Sequence, residues 1–193
     1  MNRCHSIQFS PCHQQGLTLI EILITILVMG FGLLGVAQMQ TVSLQSNYES
    51  AQRTIATYLA DDIIARMRST PLADLDDYET GSNPIGYKDP DSSPNPSSVA
   101  DECTAALNCS VSEKISRDLW EWKEALIGTA ELKGSTNTGG LLNPSGCIQV
   151  DNNQIQVIIS WDSIGNAKAT DTTSCGTGSD DYTRRSITVF TVL

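Results

Sequence analysis

The chain has 193 residues, enough for one modest domain plus an appendage. Hydrophobic residues make up 40% and aromatics only 6%, so any core must be built mainly from aliphatic side chains. A formal charge of −10 repels phosphate backbones and disfavours nucleic-acid binding by bulk charge; for a local basic patch, Arg184-Arg185 is the only adjacent basic pair.

Residues 1–16 form a polar leader with one arginine, Arg3, and no acid. The run from Leu17 to Ala37 follows, about the 20 residues that a helix needs to cross the hydrocarbon of a bilayer. Its single charge is Glu21. A carboxylate in such a stretch costs a few kcal/mol at the centre and less near the end, and Glu21 lies only four residues from Leu17. Two readings follow. Glu21 snorkels at the boundary of a plain signal anchor, or it has a partner inside the membrane, the default for an intramembrane ionisable group. A secretory signal has a shorter apolar stretch with a small-residue cleavage site behind it. Here no such site follows the run, and the leader before it ends in Gly16. Cleavage would therefore fall at Gly16 and retain the apolar run.

Gly16-Leu17-Thr18-Leu19-Ile20-Glu21 resembles the prepilin cleavage motif of type IV pilins and type II secretion pseudopilins. It departs from the commonest form in having Leu17 where Phe usually stands, and its leader has a single Arg. The resemblance implies a cut between Gly16 and Leu17 by prepilin peptidase, N-methylation of Leu17, and an assembly role for Glu21. The chemistry fits. Gly16 has no side chain, so an extended peptide can lie close in a protease cleft. Cleavage exposes an ammonium on Leu17. A buried carboxylate and a buried ammonium each cost several kcal/mol alone and offset that cost together. Glu21 is thus expected to pair with the amino terminus of Leu17, on a neighbour or within the chain.

No proline interrupts the sequence between Pro11 and Pro71. Gln38 to Ser69 is rich in good or neutral helix formers, and Val42, Ile55, Leu59, Ile63, Ile64 and Met67 recur near helical spacing. Arg66 and Arg68 suit the carbonyl end of a helix, and Thr70-Pro71 stops it. A helix from Leu17 to Ser69 would be roughly 80 Å long at 1.5 Å per residue. Gly30, Gly32 and Gly35 admit two readings: close helix packing in the bilayer, or a weak point. The resemblance implies that such a region can unwind on entering a filament. The stretch from Gly30 to Gln40 resembles the PilV group of minor pilins, also called type IV pilus modification proteins. Asp118 to Leu126 and Ser160-Trp161-Asp162 fit the same group.

Asp74 to Asp101 reads as a long surface loop with little core. Its acids Asp74, Asp76, Asp77 and Glu79 lack the pattern of a calcium loop. A second helix is expected with Ser112 as its N-cap, Ile115, Leu119, Trp122 and Leu126 on one face, and Gly128 as its stop. Trp122 belongs to the core, and Trp120 points elsewhere as a candidate contact residue. Strands are expected over Cys147–Val150, Gln154–Trp161 and Ser186–Leu193, with a hairpin turn at Asp151-Asn152-Asn153. Gly165 to Thr183 is polar and loop-like.

Of six cysteines, Cys4 and Cys12 lie in the leader, and Cys103, Cys109, Cys147 and Cys175 in the polar remainder. Behind a membrane segment, four cysteines point to disulfides in an oxidising compartment. Their spacing does not suit structural zinc, which pairs ligands two to four residues apart. Three pairings are possible; Cys103–Cys109 and Cys147–Cys175 close the shortest loops. The resemblance implies that the loop before the last strand closes by a disulfide.

Both histidines, His5 and His13, lie in the leader, so the mature chain has no Ser-His-Asp or Cys-His set. No P-loop, nucleophile elbow or zincin motif occurs. The expectation is no enzyme, no cofactor and no metal. The fold class is α+β and pilin-like: a long N-terminal helix packed on a C-terminal antiparallel sheet. The segments are a leader (1–16), a transmembrane or filament-core helix (17–37), an amphipathic continuation (38–70) and a periplasmic head (71–193). The resemblance implies as partners prepilin peptidase, other minor pilins, the major pilin, the inner-membrane assembly platform and the membrane. It implies an inner-membrane location in a Gram-negative bacterium, then a pilus, with roles in pilus priming, twitching and adhesion. The alternatives are a type II secretion pseudopilin and a membrane-anchored periplasmic binding domain that never polymerises.

Overall fold

The structure is a computed structural model that describes residues 16–81, 84–86, 109–129, 131–134, 136–137, 139–163, 175 and 184–193. It divides into two compact units, Met1–Leu44 and Gln45–Leu193. Helix α1 (Leu19–Met67) runs unbroken through Gly30, Gly32 and Gly35, and a Cβ added at any of the three would meet open space.

The first unit consists, among its described residues, of a non-helical start at Gly16 to Thr18 and the apolar part of α1. Leu17, Leu19, Phe31 and Val42 are all more than 60% exposed, and α1 is long and apolar enough to cross a membrane. In water this surface would cost about 25 cal/mol per Å² of apolar area, so it belongs in lipid or against other helices.

The second unit is built on a four-stranded antiparallel sheet of order β1-β4-β5-β6, from β1 (Ile85–Gly86), β4 (Ser145–Asp151), β5 (Gln154–Asp162) and β6 (Arg184–Val192). Helix α2 (Val111–Ile127) and a short hairpin of β2 (Leu132–Lys133) and β3 (Thr136–Asn137) lie between β1 and β4 in the chain. Strands β4 and β5 meet at Asn152-Asn153, both with positive φ (47° and 67°). Asn tolerates that left-handed conformation, and a two-residue turn of this hand matches the twist of the strands.

The alternation expected along β5 is observed. Ile155, Val157, Ile159 and Trp161 point into one core, and Ile187 and Val189 of the last strand and Leu193 just beyond it join them. From α1 the core receives Ala56, Ala60, Ile63, Ile64 and Met67. The two alanines were not in the apolar series read from the sequence, yet both are fully buried. Their small side chains let the helix backbone approach the rest of the core, while Ile55 and Leu59 are only half-buried at the side. Gln52 continues this face and accepts a hydrogen bond from the Leu142 N–H at 3.3 Å.

The face expected of α2 is the one buried: Ile115, Leu119, Trp122 and Leu126. Its start is corrected. Ser110, not Ser112, is the N-cap and forms a reciprocal capping box with Glu113. The Ser110–Glu113 spacing is the signal that decides between the two serines. These hydrogen bonds from the Ser110 backbone and hydroxyl hold the Glu113 carboxyl below its usual range. Gly128 ends the helix with φ 75°, and a Cβ there would come within 2.0 Å of the Gly139 backbone.

Asp74 to Asp101 is also corrected in part. Its beginning belongs to a 3-10 helix, Leu72–Tyr78, whose Leu75 and Tyr78 are buried in the main core, and Ile85 is a core residue of β1. The rest of that stretch, residues 87–101, lies outside the described residues, as does most of Gly165 to Thr183.

Candidate functional site

In the first unit, Gly16, Leu17 and Thr18 precede the helix. The bond between Gly16 and Leu17 is therefore free of helical hydrogen bonding, and a peptidase that binds extended chain would not have to unwind a turn to reach it. The Glu21 and Ile22 N–H groups both donate to the Thr18 carbonyl, at 3.0 and 3.3 Å, which fixes the helix start just beyond that bond. Thr18 and Glu21 have the spacing of a capping box, but the capping box is formed by Ser110 and Glu113. The Glu21 carboxylate makes no hydrogen bond or ion pair among the described residues. It stands exposed in the first turn of α1, amid exposed Leu17, Ile20 and Ile24. The amino end of a helix dipole favours a negative charge there, and no cation among the unit's described residues does.

The second unit places two charged networks around its core. Arg66 on α1 donates Nε–H to Asp62 at 3.0 Å and Nη1–H to Asp118 at 3.3 Å and to Glu121 of α2. Glu121 also accepts from Arg117 Nε at 2.8 Å. The Tyr78 hydroxyl donates to the second oxygen of buried Asp118 at 2.7 Å and lies 3.2 Å from the Thr70 hydroxyl. Lys114 closes the cluster, donating to the Ser69 carbonyl and to the Ser69 and Thr70 hydroxyls. Burial works against the charges on Arg66 and Glu121. Their mutual bonds prevail, so the guanidinium is held above its usual range and the Glu121 carboxyl below its own. Burial, with the hydrogen bond to Asp118, pushes the Tyr78 phenol well above the ordinary tyrosine value, against the Thr70 bond. The sequence suggested Arg66 only as a cation for a helix end; in the structure it ties α1 to α2.

The sign of the Tyr78 shift makes a prediction. A neutral phenol favoured by folding contributes stability that is complete below the unfolded-state tyrosine value of about 10 and is lost as pH rises above it. Tyr78→Phe is expected to lower the unfolding free energy by about 1.5–3 kcal/mol at neutral pH, the range for a hydrogen bond to a charged group. It should also flatten the loss of stability above pH ~10. Chemical denaturation of the wild type and the variant across that range checks both.

The adjacent basic pair is split by the period of the strand. Arg184 projects from one face of the sheet and Arg185 from the other, so the two do not form a basic patch. Arg184 is 1% exposed. It donates Nη1–H to Asp162 at 3.0 Å and to the Asn143 carbonyl, and Nη2–H to Ser145 Oγ, Ser160 Oγ and the Ser160 carbonyl. Its Nε–H has no partner among the described residues. Asn143 Nδ2 completes the ring by donating to Asp162 at 2.6 Å. Beside this network Cys147 and Cys175 are joined in a disulfide and pack with Ile158 as a second small core. The Cys175 carbonyl accepts from Ser160 Oγ at 3.2 Å. Cys175 is thereby fixed to the sheet face opposite the main core. Cys109 is disulfide-bonded just before α2, and Cys103 lies outside the described residues.

The candidate residues Gly16, Leu17 and Glu21 thus share one short segment, and the cysteines lie in the other unit. One comparison bears directly on the first group. Residues 12–37 match the prokaryotic N-terminal methylation motif. The matched span contains Gly16, Leu17, Glu21 and most of the apolar face described above. No curated protein and no solved structure matches the chain. The N-terminus is therefore prepilin-like, of the kind that type IV pilins and pseudopilins carry into the membrane for processing by prepilin peptidase. A prepilin-type segment joined to an α+β head with an antiparallel sheet has the layout of a pilin.

Proposed function

We propose that the chain is a minor pilin of the PilV type. Cut after Gly16 and N-methylated on Leu17, it waits in the inner membrane with its head in the periplasm, then enters a type IV pilus. It acts by helix packing and head contacts, with no turnover, alongside the major pilin and other minor pilins on an inner-membrane assembly platform. Priming of the fibre, and through it twitching and adhesion, is the contribution expected of such a subunit.

The observation that carries this reading is Glu21. Its carboxylate has no partner among the described residues and stands on an exposed apolar helix one turn from Leu17. A lipid bilayer supplies no counter-charge, whereas the freed amino terminus of Leu17 does. The resemblance of Gly30 to Gln40 and of Asp118 to Leu126 to the PilV group favours this over a pseudopilin.

The test is a deletion strain scored for surface fibres. Fibre number should fall sharply on deletion and return on complementation with the wild-type chain. Unchanged fibres and unchanged motility would remove the priming role.

A further inference from the structure

The second unit carries a recess of about 330 Å³ that the reading above does not use. One wall is a face of α1, with Ser46, Ser50 and Arg53 at i, i+4 and i+7. The other is the end of the sheet, with Arg185 and Ser186 near the start of β6 and the buried Trp161. Arg185 faces α1, and its Nη2 lies 3.8 Å from a Glu49 oxygen. The other Glu49 oxygen accepts from Ser163 Oγ at 2.6 Å. Arg53 is exposed, and its guanidinium makes no hydrogen bond or ion pair among the described residues. One of the two guanidiniums thus already shares a carboxylate, and the other has none.

We infer that this recess receives a carboxylate side chain from an acidic segment of a neighbouring protein subunit, held by Arg53 and Arg185. The inference rests on the assembly reading for its partner. The recess is lined by two guanidiniums and three hydroxyls against one carboxylate, Glu49, which leaves a net positive charge for carboxylate oxygens, and Arg binds such groups through paired N–H donors. Size and charge favour a side chain over a free organic acid. The volume is at the bottom of the range for small-molecule sites. A free anion must also approach through the field of a chain of charge −10. A neighbour docked by its own apolar helix brings its acid with the approach already accomplished. A cationic recess on one subunit that takes an acid from another is a head-to-tail contact, the kind that builds an open helical polymer.

Two arms test this. In cells, Arg53→Glu should reduce the amount of the chain in sheared fibres at least tenfold, with its membrane level and thermal midpoint unchanged, and Arg53→Lys should keep most of it. Incorporation of Arg53→Glu at the wild-type level overturns the inference. In the second arm the full mature chain in detergent is titrated with N-acetyl-Glu-Glu while the Trp161 indole NMR signal is followed. The signal should move with the acidic peptide but not with N-acetyl-Gln-Gln, and Arg53→Gln should abolish the movement. No movement, or equal movement in Arg53→Gln, also overturns it. If the wild-type chain never reaches the fibres, the assembly reading is what fails, and a positive titration then assigns the recess to a free carboxylate, contrary to the source inferred here.

Discussion

Glu21→Gln is expected to cut the amount of this chain recovered in sheared surface fibres by about two orders of magnitude, while its level in the membrane stays the same. Removing one member of a buried ion pair costs about 3–5 kcal/mol, and each 1.4 kcal/mol is about tenfold in an equilibrium. Glutamine has nearly the shape and helix propensity of glutamate, so α1 and the head should be untouched. What changes is the charge. The ammonium on Leu17 would enter the apolar interior of a fibre with nothing to neutralise it. In the membrane the same substitution costs nothing, since removing a lone acid from an apolar helix eases insertion. The effect should therefore appear at assembly and not before. Immunoblots of the fibre and membrane fractions separate the two steps. A variant that enters fibres at the wild-type level would show that Glu21 merely sits at the membrane boundary.

Trp122→Ala is expected to destabilise the second unit by about 3–5 kcal/mol, the range for emptying a large aromatic site in a core. Trp122 is fully buried and its Nε1–H donates to the Leu59 carbonyl of α1 at 2.8 Å, so one side chain both fills the core and joins α2 to α1. Its ring also lies over Gly146 of β4. A Cβ at that glycine would come within 2.5 Å of the indole Cη2, so the contact depends on the missing side chain. At ~2–4 °C per kcal/mol for a domain of this size, the thermal midpoint should fall by roughly 6–20 °C. Trp120, half-buried on another face of the same helix, serves as the control; Trp120→Ala should cost about 1 kcal/mol or less. Equal losses from the two substitutions would contradict the arrangement described for α2.

The parts of the fold that were legible in the sequence are those written in local pattern. The apolar run, the series around Ile63 and Met67, and the alternation from Ile155 to Trp161 each follow from a single element's period, and the structure shows those elements. Ala56 and Ala60 were passed over because a small side chain carries little hydropathy signal, although smallness is what close packing of a helix requires. Tyr78 and Leu75 were concealed by the acids around them: a 3-10 turn can bury two side chains while Asp76 and Asp77 remain in water. The ties from Arg66 to Asp118 and Glu121, and from Arg184 to Asp162, join residues 52, 55 and 22 positions apart. No local spacing encodes such contacts; they exist only once α2 has docked and β6 has paired. The prepilin-like segment was legible for the opposite reason. The chemistry proposed for it needs a small residue, a new amino terminus and an acid within six consecutive positions, and all of it lies in one stretch of chain.

The intact mass of the mature protein, purified from its own membranes, tests the central claim most directly. The account predicts a chain that begins at Leu17 and carries one additional methyl group. A protein whose mass still includes residues 1–16, or whose first residue lies beyond Ala37, would contradict it.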